Sequence, residues 1–144
     1  MWRAGRRQAG FTLVELLVVL AVAGLLAGLA AGVGGRQLDG WRMRGAGHDL
    51  VADLRRLRAA AMAANRPKRL TADPQSGTWR PEDEPERRVP DGARLVVSAP
   101  ELVFRPDGTA AQGGRIALIR DGAAHVVEVE PLLGRVTLRR EAAP

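Results

Sequence analysis

No cysteine occurs among the 144 residues, which excludes disulfide frameworks and thiolate metal or redox sites. The two histidines, His48 and His125, are far apart and lack metal-ligand spacing, so both are expected at the surface. No Gly-x-Ser-x-Gly elbow, P-loop or dinucleotide fingerprint is present. Glu82, Asp83, Glu84 and Glu86 offer carboxylates, but prolines interrupt them and their spacing matches no calcium loop. No residue set supports catalysis, a metal or a cofactor, and a non-enzymatic role is expected. The length allows one domain with an appendage and excludes a large multidomain enzyme.

Acidic residues are also in short supply: Lys+Arg 22 against Asp+Glu 16 leaves a formal +6. A basic excess invites a nucleic-acid reading until its location is known. Residues 1–10 carry Arg3, Arg6 and Arg7 and no acid, and residues 36–66 hold seven arginines against three aspartates. Residues 67–144 have 12 basic and 12 acidic side chains, so the C-terminal half is neutral. The excess belongs to the N-terminal half.

Charge is absent altogether from residues 16–35, LLVVLAVAGLLAGLAAGVGG. A 20-residue helix at about 1.5 Å per residue spans roughly the 30 Å hydrocarbon core of a bilayer. Being apolar all round, it does not fit a surface helix. A cleavable secretory signal is the bland alternative, with cleavage in the Ala/Gly-rich stretch 27–34. Glu15 heads the apolar run, and a carboxylate there is costly unless paired. Its plainer role is that of a helix-start acid favoured by the macrodipole. Gly24, Gly28 and Gly32 have small-xxx-small spacing, which permits close helix approach, although a plain Ala/Gly-rich span reads the same way. Arginines flank both ends of the run, so their count does not set its orientation.

Gly10-Phe11-Thr12-Leu13-Val14-Glu15, behind a basic leader and ahead of the apolar run, resembles the type IV prepilin signal. The resemblance implies cleavage between Gly10 and Phe11 by prepilin peptidase on the cytoplasmic side, then methylation of the new Phe11 amine. The apolar helix then stays in the mature chain. Glu15 lies four residues beyond Phe11, about one helical turn, and in a filament can pair with the Phe11 ammonium of a neighbouring subunit.

Glycines 34, 35, 40, 45 and 47 lower helix propensity after the span. From Asp49 a helical pattern resumes, with Leu50, Leu54, Leu57, Ala61 and Ala64 on one face and Arg55, Arg56 and Arg58 on the outer surface. It stops by Asn65-Arg66-Pro67. Short β-rich runs follow at 68–72, 78–80, 94–98, 102–105, 115–120, 124–130 and 135–139. Asp73-Pro74-Gln75-Ser76-Gly77 and Asp121-Gly122 have hairpin-turn chemistry. Residues 81–91, PEDEPERRVPD, read as an exposed charged loop.

Phe104-Arg105-Pro106-Asp107-Gly108-Thr109, Gly113-Gly114-Arg115-Ile116 and Leu133-Gly134-Arg135-Val136-Thr137-Leu138 are similar to the GspH/FimT pseudopilin domain. That family implies an α+β, type IV pilin-like fold: a long N-terminal hydrophobic and amphipathic helix, then an antiparallel β-sheet domain. It implies a leader at 1–10, a filament-core helix at 11–35, a membrane-proximal helix at 36–66 and a periplasmic β-domain at 67–144. The expected role is a minor pseudopilin of type II secretion, single-pass in the bacterial inner membrane, at or near the pseudopilus tip. Its partners would be prepilin peptidase, other minor pseudopilins and the major pseudopilin. The rival reading is a FimT-like minor pilin that binds DNA through Arg135, Arg139 and Arg140. DNA-binding relatives resemble Gly-Arg-x-Arg there, whereas this chain has Gly134-Arg135-Val136-Thr137. A neutral 67–144 also disfavours phosphate binding. A membrane-anchored sensor or substrate-binding domain with an unprocessed helix is a more distant alternative.

Overall fold

The computed structural model describes residues 12–143, with the side chains at 29–38 outside the described set. It divides into two units, Met1–Leu38 and Asp39–Pro144, and helix α1 (Leu13–Ala64) contributes to both. The expected interruption at the glycines is not observed: α1 is helical throughout, Gly34, Gly35, Gly40, Gly45 and Gly47 included. A glycine in a helix costs only about 1 kcal/mol, which lowers helix propensity without by itself ending a helix. At Gly47 the packing is explicit. A Cβ there would lie 3.4 Å from Leu138 Cδ1 and 3.6 Å from His125 Cβ, ordinary contact distances that place this turn of the helix directly on the sheet.

Within the second unit, Met43, Ala46, Leu50, Leu54, Leu57 and Ala61 form the buried stripe of α1. Ala64, expected on that face, is exposed. The helix ends because Asn65 takes a left-handed conformation (φ 48°) and Arg66 N–H bonds back to the Ala61 carbonyl at 3.2 Å. Pro67, which lacks an N–H, then leads into the first strand.

Eight strands follow: β1 (Lys68–Asp73), β2 (Thr78–Pro81), β3 (Arg87–Arg88), β4 (Arg94–Val97), β5 (Glu101–Phe104), β6 (Gly114–Arg120), β7 (Ala123–Val129) and β8 (Val136–Ala142). They make two four-stranded sheets, β3-β2-β1-β5 and β4-β6-β7-β8, with every pairing antiparallel. Arg120 pairs with Ala123, so Asp121-Gly122 forms a two-residue hairpin with both residues at positive φ. Both sheets and α1 meet in one apolar core that includes Leu50, Leu54, Leu70, Trp79, Phe104 and Leu118. One pleat out of phase, Ile119, Ala124 and Val126 form a smaller cluster with Ala117. Each fully buried Val, Leu, Ile or Phe side chain contributes about 1.5–3 kcal/mol.

The segment 81–91 departs from the exposed loop expected of it. Pro81 and Val89 are buried, and β3 adds an edge strand against β2. Val89 N–H holds the Gly77 carbonyl at 2.9 Å, which closes the segment onto the β1–β2 turn.

Candidate assembly and processing site

Gly10 and Phe11, the expected cleavage pair, lie outside the described residues. Thr12 begins the described chain, and its Oγ1 accepts the Glu15 backbone N–H at 3.3 Å. Thr12 is thus the N-cap of α1 and Glu15 its N3 residue, the spacing of a capping box. The Thr-x-x-Glu pattern was visible in the sequence as a second, local reason for an acid at position 15. Every described side chain at 12–28 is exposed, Glu15 among apolar neighbours. An apolar helix exposed all round needs lipid or other helices to cover it. Among the described residues no helix is long and apolar enough to cross a membrane. The run at 16–35 continues through positions whose side chains lie outside them.

In the second unit the carboxylates of the 82–86 turn are engaged by basic side chains. Glu82 bridges Arg66 (2.8 Å) and Lys68 (3.3 Å), and Arg80 meets Glu86 at 2.6 Å. Lys68 also bonds Asp83, which raises the lysine pKa and lowers that of the aspartate. Burial pushes Glu82 upward, but the Lys68 ammonium, the Arg69 N–H and Arg66 outweigh it and hold the carboxyl below its ordinary range.

Asp53 is the residue that sequence reasoning passed over. It is fully buried, accepts Trp79 Nε1–H at 2.9 Å and bonds Arg56. Arg87 Nε lies 3.0 Å away, but its N–H is not aimed at the carboxylate, so that contact is Coulombic. The signal was present, since Asp53 falls beside Leu50, Leu54 and Leu57 on the inward stripe. Nor do the helix arginines simply face outward. Arg58 Nε donates to the Gly108 carbonyl at 2.8 Å, and Arg55 Nη2 to the Val136 carbonyl at 3.2 Å. His48 is exposed as expected, but His125 is buried at 8% exposure, because β7 places it beneath α1 beside Gly47.

The three arginines of the nucleic-acid reading do not converge. Arg135 is held by Glu130 Oε2 at 2.8 and 3.1 Å. Arg139 pairs across with Val126 and Arg140 with His125, and consecutive strand residues point to opposite faces.

Residues 5–31 match a prokaryotic N-terminal methylation motif, and residues 46–132 match the family described as type II transport protein GspH. The chain belongs to the GspH family. Type II secretion system protein H of Xanthomonas campestris pv. campestris is 35% identical over 141 residues, covering 91% of this chain and 83% of that protein. Among solved structures, the type IV minor pilin FimU of Pseudomonas aeruginosa superposes with a TM-score of 0.56 at 17% identity. That match covers 67% of this chain and 87% of FimU. The minor pseudopilin EpsH from the type 2 secretion system of Vibrio cholerae gives a TM-score of 0.56 at 14% identity, over 70% of this chain and 97% of EpsH. At those identities both establish the type IV pilin-like fold of this GspH-family chain.

Proposed function

We propose that this chain is a structural, non-enzymatic minor pseudopilin of a type II secretion system, placed at or near the tip of the periplasmic pseudopilus. The observation that carries the reading is the union, on one chain, of a methylation motif at 5–31 with a GspH domain at 46–132. Residues 1–10 are the leader, removed by prepilin peptidase between Gly10 and Phe11, and Phe11 is then N-methylated. Residues 11–35 anchor the subunit in the bacterial inner membrane and enter the filament core. Residues 36–66 lead to the β-domain at 67–144 in the periplasm. The exposed apolar surface of α1 supports this division, since lipid before assembly and neighbouring helices after it would both cover that surface. Within a filament, Glu15 pairs with the Phe11 ammonium of an adjacent subunit and fixes axial register. Other minor pseudopilins and the major pseudopilin are its partners, and filament growth supports export of folded proteins across the outer membrane.

The reading is tested by mass spectrometry of the chain expressed with and without a prepilin peptidase. With the peptidase, the N-terminus is expected at Phe11 carrying one methyl group. A chain that keeps Met1 in the presence of active peptidase would remove the claim. Glu15→Val is expected to be processed normally yet to drop out of the pseudopilus, read by crosslinking to the major pseudopilin.

A further inference from the structure

Strand β8 is the outer strand of its sheet, and its free edge is set by the ladder to β7. Glu130 N–H bonds the Arg135 carbonyl at one end, and Ala143 N–H the Gly122 carbonyl at the other, each at 2.9 Å. Between those bonded pairs the antiparallel ladder alternates, so Val136, Leu138, Arg140 and Ala142 direct their N–H and C=O groups away from β7. Arg55 occupies the Val136 carbonyl. Among the described residues, no backbone or side-chain bond takes the outward groups of Leu138, Arg140 and Ala142. The free edge of β5 differs, because residues 105–111 cover it: Ala111 N–H bonds the Val103 carbonyl at 2.8 Å.

A cationic margin runs beside this edge. Arg140 is exposed on β8 opposite His125, and Arg44 and His48 stand on the adjoining part of α1, one turn apart. Gly47 between them packs on His125 and Leu138, which brings helix and edge together. No carboxylate pairs with Arg44 or Arg140 among the described residues, and Arg44 instead lies over the Trp41 ring at 5.3 Å. Alternating donors and acceptors along an edge are matched at the strand repeat by another peptide backbone, whereas a phosphodiester chain supplies acceptors alone. A second β8 would bring like charges together, the usual way that edges repel copies of themselves. We infer that the free edge of β8, with Arg44, His48 and Arg140 beside it, binds an extended acidic segment of another protein as an added antiparallel strand.

The test uses the full-length chain in micelles of a neutral detergent and a fluorescent, end-capped peptide of seven alternating Val and Glu residues, the length of β8. Binding is followed by anisotropy, and the bound strand is located by amide hydrogen exchange. The peptide is expected to bind and to slow exchange at Leu138, Arg140 and Ala142. The double variant Arg44→Glu with Arg140→Glu, both exposed positions, is expected to weaken binding by roughly tenfold or more. Ala142→Pro keeps every charge and removes one outward N–H, and it should also weaken binding. A peptide N-methylated at alternate residues should fail to bind. The proposal is overturned if the peptide does not bind, if charge reversal leaves affinity unchanged, or if protection appears at β4 instead. Displacement of the peptide by a short DNA duplex or by anionic vesicles, at lower concentration than by unlabelled peptide, overturns it as well.

Discussion

The carboxylate of Asp53, fully buried on α1, accepts the indole N–H of Trp79 at 2.9 Å and so ties the helix to the centre of β2. Trp79 is itself only 1% exposed. A buried donor and acceptor that satisfy each other avoid a large desolvation penalty. Arg56 and Arg87, each partly in solvent, supply counter-charge to that carboxylate.

Asp53→Ala is expected to destabilise the domain by about 2–4 kcal/mol, because it orphans the Trp79 N–H and unpairs two guanidinium groups. Asp53→Asn keeps an acceptor for the indole, and the half-exposed arginines return to water, so its cost should be about 1–2 kcal/mol. Urea unfolding followed by circular dichroism measures both. Equal losses in the two variants would show that the indole bond contributes nothing.

Gly134 is where the last hairpin meets the Phe104–Thr109 turn. Its φ is +59°, and a Cβ there would fall 2.1 Å from the Gly108 carbonyl oxygen and 3.0 Å from Arg58 Nε. The obstacle is backbone, held in place by the Arg58 bond to that same oxygen. Gly134→Ala should therefore cost more than the roughly 1–2 kcal/mol of a left-handed alanine alone. Gly122→Ala is the control: φ is +75° but no atom lies within 4 Å, so it should cost about 1 kcal/mol. Thermal melts of the two variants separate clash from conformational strain.

The N-terminal hexapeptide was readable because its chemistry is local: a small residue, an aromatic and an acid at fixed spacing. The strands were readable for a similar reason. Alternation of Val127 and Val129 with Glu128 and Glu130, and turn residues such as Asp121-Gly122, carry their own geometry, and seven strands lie within a few residues of their expected limits. Strand β3 was not readable, because two arginines inside a charged run become a strand only through β2 and the Val89 to Gly77 bond. The unbroken α1 was missed for the same reason, since propensity at Gly47 is local and its packing on Leu138 is not. Asp53 and His125 were assigned no buried role because polar residues default to the surface. The inward stripe of α1 places Asp53 locally, but its partner Trp79 and the helix that covers His125 are distant in sequence, and no short window contains them.

His125 supplies a pH dependence with a defined sign. Burial, then the positive charges of Arg140, Arg44 and His48, lower its pKa below the ordinary 6.5. The unfolded chain consequently binds more protons than the folded one just below that value, and stability rises with pH there. The contribution is fully present above about pH 6.5 and is lost as pH falls toward the depressed folded value. Melting temperature should drop between pH 7 and 5.5, and His125→Val should flatten that slope. Asp73, Asp83 and Asp107, all held below their ordinary 3.8 by hydrogen bonds, act only at lower pH and leave this window clear. Arg140→Ala removes one of the repelling charges and should make the slope shallower. An unchanged slope in both variants would assign the dependence to other groups.

The end of α1 yields the last expectation. Asn65 sits at φ 48° directly after Ala64, and its N–H reaches the Met62 carbonyl at 3.3 Å while Arg66 N–H takes the Ala61 carbonyl. This left-handed residue closes the helix and points the chain at β1, whose Lys68 and Arg69 anchor the 82–86 turn. Asparagine tolerates such a conformation better than other residues with a Cβ, and glycine tolerates it without strain. Asn65→Gly should be neutral or stabilising by up to about 1 kcal/mol, with the gain partly offset by the greater freedom of glycine in the unfolded chain. Asn65→Val should destabilise by about 1–2 kcal/mol, because a β-branched side chain crowds the following carbonyl. Hydrogen exchange at Arg66 distinguishes a frayed last turn from global unfolding. Faster exchange confined to that amide and its neighbours is the result expected for Asn65→Val, with the Leu50 and Leu54 amides unchanged.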